Sequence, residues 1–231
     1  QGIEKYPNTA GFHVQLISIL MTENNMNQAE DYLNTALKKF HNDEKIIRLE
    51  IKLHMLLNNW EKSLTLCNEA LQSHPEDQRI VIGQIQSLSN LNRTHDAVQV
   101  CEKFKDEFPQ QFSLAMWDVK GDYLPCSFYY AQLCKIMADG KSNEHQIISV
   151  KNNQFNVTSN LTEEAKSFLK KAIDETTDIL SNTEYHASQN NIKFLQARCY
   201  QMLGKFEETM IILDEIPSEY DTRIKQALKI K

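Results

Sequence analysis

The stretch SLTLCNEALQSHP, residues 63–75, contains the pattern from which the fold is inferred. Its residues Ser63, Cys67 and Ala70 are spaced by four and then three, so they fall on one stripe of an α-helix. Triplets at the same spacing recur 34 residues earlier and 34 residues later, as Ala29, Leu33 and Ala36 and as Ala97, Cys101 and Phe104. Small residues on such a stripe allow close approach of a neighbouring helix, so the sequence predicts a repeat of packed helices.

Helix-ending residues follow the same 34-residue spacing. Pro7, Pro75 and Pro109 are in phase, with His41 in the vacant position. Each Pro follows a helical stretch that it cannot continue, because proline lacks the backbone N–H and clashes with the preceding turn.

Asparagines recur between the two predicted helices of each repeat, at Asn24, Asn58 and Asn92. A left-handed residue is expected there to close the first helix, and Asn and Gly tolerate that conformation best. Gly204 occupies the corresponding position in the last repeat.

These residues together resemble the tetratricopeptide repeat (TPR) family, whose 34-residue units each form a helix, a turn and a second helix. The resemblance implies an all-α fold, an α-solenoid of helix–turn–helix repeats wound into a right-handed superhelix. Regular repeats are predicted at residues 10–43, 44–77 and 78–111.

We predict a single TPR solenoid domain over residues 1–231. Its remaining parts are the tail of a preceding repeat at 1–9, an irregular repeat at 112–181 with an insert at 139–160, a last repeat at 182–217 and an end helix at 218–231. Because the chain begins without Met and its first residues are in phase, it is expected to be a fragment of a protein that extends further towards the N-terminus.

The irregular repeat begins with a connection from Phe112 to Leu124, where the phase breaks. Pro125 is predicted to open a helix that runs to about Ala138. The aromatic cluster on this helix, Phe128 to Tyr130, is expected to be buried under the insert or, alternatively, to form an exposed anchor for a peptide.

The polar insert contains two short alternating segments. Ile148 and Val150 alternate with polar residues, and so do Phe155 and Val157. Lys151-Asn152-Asn153 would be the turn of a small β-hairpin between them. A loop without regular structure fits the same pattern.

The helical stripe returns after the insert as Ala165, Leu169 and Ala172. Ser159 or Asn160 is predicted to cap this helix. In the last repeat, the second helix is predicted to carry Leu213 and Ile216 and to stop at Pro217.

In the TPR family the first helices line a concave groove, so the resemblance implies which residues face a partner. Basic and amide residues at these positions are Lys45, Arg48, Lys52, Arg79, Gln86, Asn90, Asn191 and Arg198. The other groove positions carry Val14, Ser18, Met21, Met55, Ile82 and Phe194. Such a surface would suit an acidic peptide or a carboxylate tail. A solvated helix face, with Glu44 and Glu50 among the cations, is the alternative.

Signatures of catalysis and metal binding are missing from the sequence. It has no HExxH, phosphate-binding GxxxxGK or GxSxG motif, and its 7 histidines show no ligand spacing. We therefore expect no enzyme activity, no catalytic residue, no metal and no cofactor.

Charge and cysteine content restrict the partners and the compartment. The formal net charge of −6 argues against nucleic-acid binding, and the apolar runs are too short to insert into a membrane. The 5 cysteines include no CxxC pair, which fits free thiols in a reducing compartment and hence a cytoplasmic protein.

Three functional hypotheses follow. The first is a scaffold or adaptor that binds a partner polypeptide in its groove. The second is the recognition region of a larger enzyme, for example a transferase, whose catalytic domain lies outside this chain. The third is self-association through exposed ends of the array.

Overall fold

The structure is a computed structural model that describes residues 8–113, 116–118, 121–141, 147–151, 154–158, 161–181 and 189–217. The chain forms two compact units, residues 1–100 and 101–231, which are described separately. The single-domain organisation therefore stays a prediction. Apart from Asn8 and Thr9, the tail predicted at 1–9 lies outside the described residues, and so does the end helix predicted at 218–231.

The first unit is built from helices joined by short turns. They are α1 (Ala10–Thr22), α2 (Met26–Lys39), α3 (Glu44–Leu56), α4 (Trp60–Ala70), α5 (Gln78–Asn90) and α6 (Thr94–Glu107), which ends inside the second unit. The first helices of successive repeats begin at 10, 44 and 78, so the helices themselves carry the 34-residue period. The all-α solenoid of helix–turn–helix repeats is confirmed.

The small-residue stripes are buried, as predicted. Ala29 and Leu33 of α2 pack in one core with Ile17 of α1 and Leu53 of α3. Each large apolar side chain buried in this way contributes about 1.5 to 3 kcal/mol relative to an exposed one. Helix α2 is therefore held between its own first helix α1 and the next first helix α3, and α4 packs in the same way on α3 and α5.

Gly83 allows α5 to approach α3 and α4 closely. A Cβ atom at this position would lie 3.1 Å from Cγ2 of Ile51 and 3.3 Å from Sγ of Cys67. Both distances are shorter than ordinary van der Waals contact, so a Cβ atom here would require the side chains of Ile51 and Cys67 to shift by a few tenths of an ångström.

Aspartates start the first helices of the second and third repeats. One carboxylate oxygen of Asp43 accepts hydrogen bonds from the backbone N–H groups of Lys45 and Ile46, at 2.9 and 3.3 Å. Asp77 does the same for Arg79 and Ile80, at 3.0 and 3.4 Å. These bonds satisfy N–H groups that have no partner within the helix, and they fix where α3 and α5 begin.

The turn inside each repeat is closed by a left-handed residue, as the spacing predicts. The φ angles of Asn24, Asn58 and Asn92 are 59°, 58° and 59°, and that of Gly204 is 74°. In the second repeat, the N–H of Asn59 donates to the carbonyl of His54 at 2.8 Å. This bond, made by the residue that follows the left-handed one, is characteristic of a Schellman motif, and the same bond recurs at the other three turns.

The second unit continues with helices interrupted by short strands. Its elements after α6 are α7 (Pro109–Ser113), β1 (Met116–Asp118), β2 (Gly121–Tyr123), α8 (Cys126–Lys141), β3 (Ile147–Lys151), β4 (Gln154–Thr158), α9 (Glu163–Ser181), α10 (Gln189–Met202) and α11 (Phe206–Asp214). Helix α9 packs on α8 and α10, and α10 packs on α8 and α11. Two helix pairs, α8–α9 and α10–α11, therefore continue the repeat.

The strands form two antiparallel pairs, β1 with β2 and β3 with β4. The first pair lies in the connection predicted to be irregular at 112–124. In the second pair Ile148 faces Val157 and Val150 faces Phe155 across the strands, as the hairpin alternative predicts.

Three predicted details in the second unit are wrong. Helix α8 runs to Lys141, beyond the predicted start of the insert, and an ion pair between Lys135 and Asp139 supports its last turns. The cap of α9 is Thr162, whose hydroxyl accepts from the N–H of Ala165 at 3.1 Å, because the helix begins at Glu163. Ile216 is buried but lies just past the end of α11.

Candidate partner-binding face of the first helices

The first helices of the first unit lie side by side, since α3 packs on both α1 and α5. We call their outer surface at the predicted groove positions the first-helix face. Six of the predicted basic and amide residues lie on the neighbouring helices α3 and α5: Lys45, Arg48, Lys52, Arg79, Gln86 and Asn90. Asn191 and Arg198 lie on α10 in the second unit.

Lys45 and Lys52 are the available cations of this face. Both are exposed, and in the part of the chain that the structure describes neither ammonium group has a carboxylate partner. They lie two turns apart on α3, about 10 Å along the helix axis. A ligand can therefore reach both ammonium groups without first breaking an ion pair.

Arg48 is predicted to be a groove cation, but in the structure its guanidinium group pairs with carboxylates of the protein itself. Its Nε donates to Oδ2 of Asp77 at 2.7 Å, and its Nη2 pairs with Glu44. The guanidinium is therefore neutralised by two carboxylates, one of which caps α5. Binding a partner through Arg48 would require breaking these contacts.

The remaining polar groups on α5 are partly committed to the helix. Arg79 is half-buried, and its backbone N–H donates to the capping carboxylate of Asp77. The side-chain amide N–H of Asn90 donates to the backbone carbonyl of Gln86 at 2.8 Å. Asn90 is exposed, and its side-chain carbonyl oxygen accepts no hydrogen bond from the described residues.

An apolar patch lies beside the cations at the end of α3. Leu56 is 46% exposed, and Met55 next to it is half-buried. Of the other predicted groove positions in this unit, Met21 and Ile82 are buried in the core, whereas Val14 and Ser18 are half-buried. Phe194, on α10 of the second unit, is buried as well. The usable apolar surface in the first unit is therefore smaller than the sequence predicts.

The second unit has its own first-helix surface, on α8 and α10. Asn191 and Arg198 are both exposed, and Nη1 of Arg198 donates to Oε1 of Gln201 at 3.4 Å. Ile136 of α8 is also exposed. The structure brings Asn191 and Arg198 together on one helix, and the two predicted groups of site residues thus belong to different compact units.

The aromatic cluster of α8 is largely core. Phe128 packs with Ile179 of α9 and Ile192 of α10. Tyr130 is buried as well, and its hydroxyl donates to Oε1 of Glu102 at 2.9 Å. Phe128 and Tyr130 are therefore buried against neighbouring helices and do not form an exposed anchor for a peptide.

Asp77 has a structural role that the sequence analysis does not predict. It is buried, caps α5 and pairs with Arg48 across two helices. Its signal was present, because Asp43 and Asp77 precede successive first helices at the repeat spacing. An aspartate directly before a helix predicts an N-cap.

The thiols of the described residues are poorly suited to nucleophilic chemistry. All five cysteines are free and buried. Burial raises the pKa of Cys67, Cys134 and Cys199 to about 12, and raises the pKa of Cys101 well above its usual value. A thiol acts as a nucleophile in its thiolate form, which these surroundings disfavour.

The part of the chain that the structure describes contains no cluster of three or more His, Cys, Asp or Glu side chains that could hold a metal ion. None of the helices in this part is both long enough and apolar enough to cross a bilayer.

Solved structures of other proteins resemble this chain in fold. No family model and no curated protein matches the sequence. PilF of Pseudomonas aeruginosa matches in structure with a TM-score of 0.65 and 13% identity, over 98% of this chain and 85% of PilF. A thermophilic TPR protein of Thermus thermophilus matches with a TM-score of 0.57 and 11% identity, over 95% and 97% of the two chains. This chain has the TPR fold.

A third TPR structure is YrrB, which is described as having an unusual peptide-binding site. It matches with a TM-score of 0.55 and 12% identity, over 97% of this chain and 94% of YrrB. At identities this low, the binding residues of these proteins cannot be transferred to this chain, because binding specificity in repeat folds depends on variable surface positions.

Proposed function

We propose that this TPR chain is a scaffold that binds a partner polypeptide on the first-helix face of its first unit. The observation that carries the proposal is the exposed, unpaired Lys45 and Lys52 on one helix, next to exposed Leu56. The peptide-binding site described for YrrB, which has the same fold, supports a polypeptide as the ligand.

The chemistry of the face favours an extended acidic segment. A segment in the polyproline II conformation advances about 3.1 Å per residue with three residues per turn. Carboxylates three residues apart then lie on one face and span roughly the distance between Lys45 and Lys52. The Asn90 carbonyl offers an acceptor for a backbone N–H of the ligand. Leu56 and Met55 offer apolar contact for one side chain at the end of the segment.

We also propose that the described part of the chain binds without catalysing a reaction. Two observations support this proposal. The buried thiols have raised pKa values. The charged groups around Asp77 are already engaged, because Asp77 caps α5 and pairs with Arg48. A catalytic base or nucleophile needs access to a substrate, and none of these groups provides it.

The test uses a peptide array graded in acidic content, probed with the labelled full chain. The tightest acidic peptide is then titrated by fluorescence anisotropy at several salt concentrations. We expect the double variant Lys45→Glu, Lys52→Glu to weaken binding about tenfold or more, since two attractive contacts become repulsive. The affinity of the wild-type chain should fall as the salt concentration rises.

The matched control is the double variant Lys38→Glu, Lys170→Glu, which reverses the charge of two exposed lysines on the second helices α2 and α9. This variant has the same change in net charge and should bind like the wild type. The proposal fails if peptide binding is independent of acidic content. It also fails if the Lys45 and Lys52 variant keeps full affinity with an unchanged helical circular dichroism spectrum.

A further inference from the structure

The α8–α9 pair differs from the other helix pairs at the turn between its helices. In α1–α2, α3–α4, α5–α6 and α10–α11 a left-handed residue closes a turn of a few residues. Between Lys141 and Glu163 the chain instead carries the antiparallel strands β3 and β4. Folding of the helix pair requires only a short turn, so the strands call for a separate explanation.

The strand register sorts the residues of β3 and β4 onto two faces. The pairs Ile148 with Val157 and Val150 with Phe155 belong to one face, which is entirely apolar. The pair Ser149 with Asn156 belongs to the other face. Successive residues of a strand alternate between faces, so the register fixes this division.

Within the described ranges, β3 and β4 form a sheet of two strands with no third strand on either side. A lone hairpin is marginally stable in water, and each outer edge presents backbone N–H and C=O groups that lack strand partners. Proteins usually protect such edges with proline or several charges. These two strands contain no proline, and Lys151 is their one charged residue.

We propose that β4 pairs with β4 of a second copy of this chain. The two strands run antiparallel about a two-fold axis at Asn156 and give a four-stranded sheet in the order β3, β4, β4 and β3. An interface of this kind is isologous, which is the usual symmetry of a homodimer. Backbone hydrogen bonds along the added strand supply the affinity.

The sequence of β4 is self-complementary in this register. With Asn156 opposite Asn156 of the second copy, Phe155 stands opposite Val157, and Gln154 stands opposite Thr158. Apolar residues meet apolar residues and polar residues meet polar ones, so the apolar face continues across all four strands.

The outer edge of β3 fits a second copy less well. A two-fold axis at Ser149 would set Lys151 opposite Ile147 of the second copy, which brings a charge against an apolar residue at each end of the strand. The β4 edge meets no such mismatch. This difference selects β4 as the pairing edge.

The proposal is independent of the first-helix face, because it uses neither Lys45 nor Lys52. It is tested by sedimentation velocity on the full chain, produced in bacteria, over a concentration series. The wild type should form a dimer as its concentration rises. Asn156→Lys should raise the dimer dissociation constant about tenfold or more, since it sets like charges directly opposite each other across the two-fold axis. Asn156→Glu should do the same.

Mixing these two variants should restore a dimer, because opposite charges then meet at the axis. Ser149→Lys is the matched control: it adds the same charge on β3, away from the β4–β4 contact, and should dimerise like the wild type. A wild type that stays monomeric throughout the series overturns the proposal. Asn156→Lys dimerising like the wild type, or a mixture that stays monomeric, overturns it as well.

Discussion

Arg48 and Asp77 form an ion pair that ties the second repeat to the third. Nε of Arg48 on α3 lies 2.7 Å from Oδ2 of Asp77, whose other oxygen caps α5. The pair therefore links the position of α3 to the starting point of α5. One buried carboxylate stabilises a helix end and a helix-to-helix contact at the same time.

We expect Asp77→Ala to lower the free energy of unfolding by about 2 to 3 kcal/mol, because it removes the cap and leaves Arg48 without this partner. Asp43→Ala removes an equivalent cap and should cost about 1 kcal/mol. Urea unfolding followed by circular dichroism measures both. Equal losses for the two variants would show that the pair with Arg48 contributes nothing beyond the cap.

The left-handed turns predict opposite effects for two substitutions at Asn58. Asn58→Ala should destabilise the chain by about 1 kcal/mol, because a Cβ-bearing residue without a side-chain amide disfavours φ near 58°. Asn58→Gly should be neutral or slightly stabilising, since glycine adopts that conformation freely. Thermal unfolding of the two variants is the measurement, and a lower melting temperature for the glycine variant than for the alanine variant would contradict the prediction.

A buried pair of hydroxyls joins α4 and α5. Oγ of Ser87 lies 2.9 Å from Oγ of Ser63 and 2.8 Å from the carbonyl oxygen of Gly83. Either single substitution to alanine should cost about 1 kcal/mol, partly because it removes a partner of the remaining buried hydroxyl. The double variant should cost less than the sum of the singles. A double-mutant cycle from urea unfolding gives the coupling, and strict additivity would refute it.

Glu175 should give the chain a pH-dependent stability. Burial raises the pKa of this carboxyl above its ordinary value of 4.5, against the opposing effect of Lys105, with which it pairs. The folded state thus retains a proton that the unfolded state has already lost. This contribution to stability is complete below pH 4.5 and is lost as the pH rises through the raised pKa.

Glu175→Gln removes that titration, so the variant should gain stability relative to the wild type as the pH rises above 4.5. Urea unfolding at a series of pH values measures the difference. Glu61→Gln, at an exposed position on α4, controls for the loss of one carboxylate. A difference between Glu175→Gln and the wild type that does not change with pH would contradict the assignment.

The regular part of the fold is predictable from sequence because its determinants are local and periodic. The stripe through Ser63 and Cys67 sets a helix contact, and Asn58 sets the turn before it. Each of these patterns depends on a few neighbouring residues and recurs every 34 residues, so the pattern in one repeat supports the prediction made for the next. The same holds for Gly204, which fills the turn position of the last repeat with φ of 74°.

The candidate site is less predictable because a helix position does not reveal a side chain's partners. Arg48 has the position of a groove residue, but Asp77 binds it from the next repeat. Ile82 also has a groove position, yet it is packed into the core. Lys45 and Lys52 share the same pattern and remain exposed. Tertiary contacts, which the helical period does not encode, decide between these outcomes.

The Schellman turns have a consequence for how this chain can change during evolution. A turn closed by backbone bonds and one left-handed residue has no room for added sequence without losing its closure. Among the helix pairs that the structure describes, only α8–α9 is joined by a long segment, so new sequence there leaves the spacing of the helices intact. Residues 142–162 are therefore the place where relatives of this chain should differ most in length.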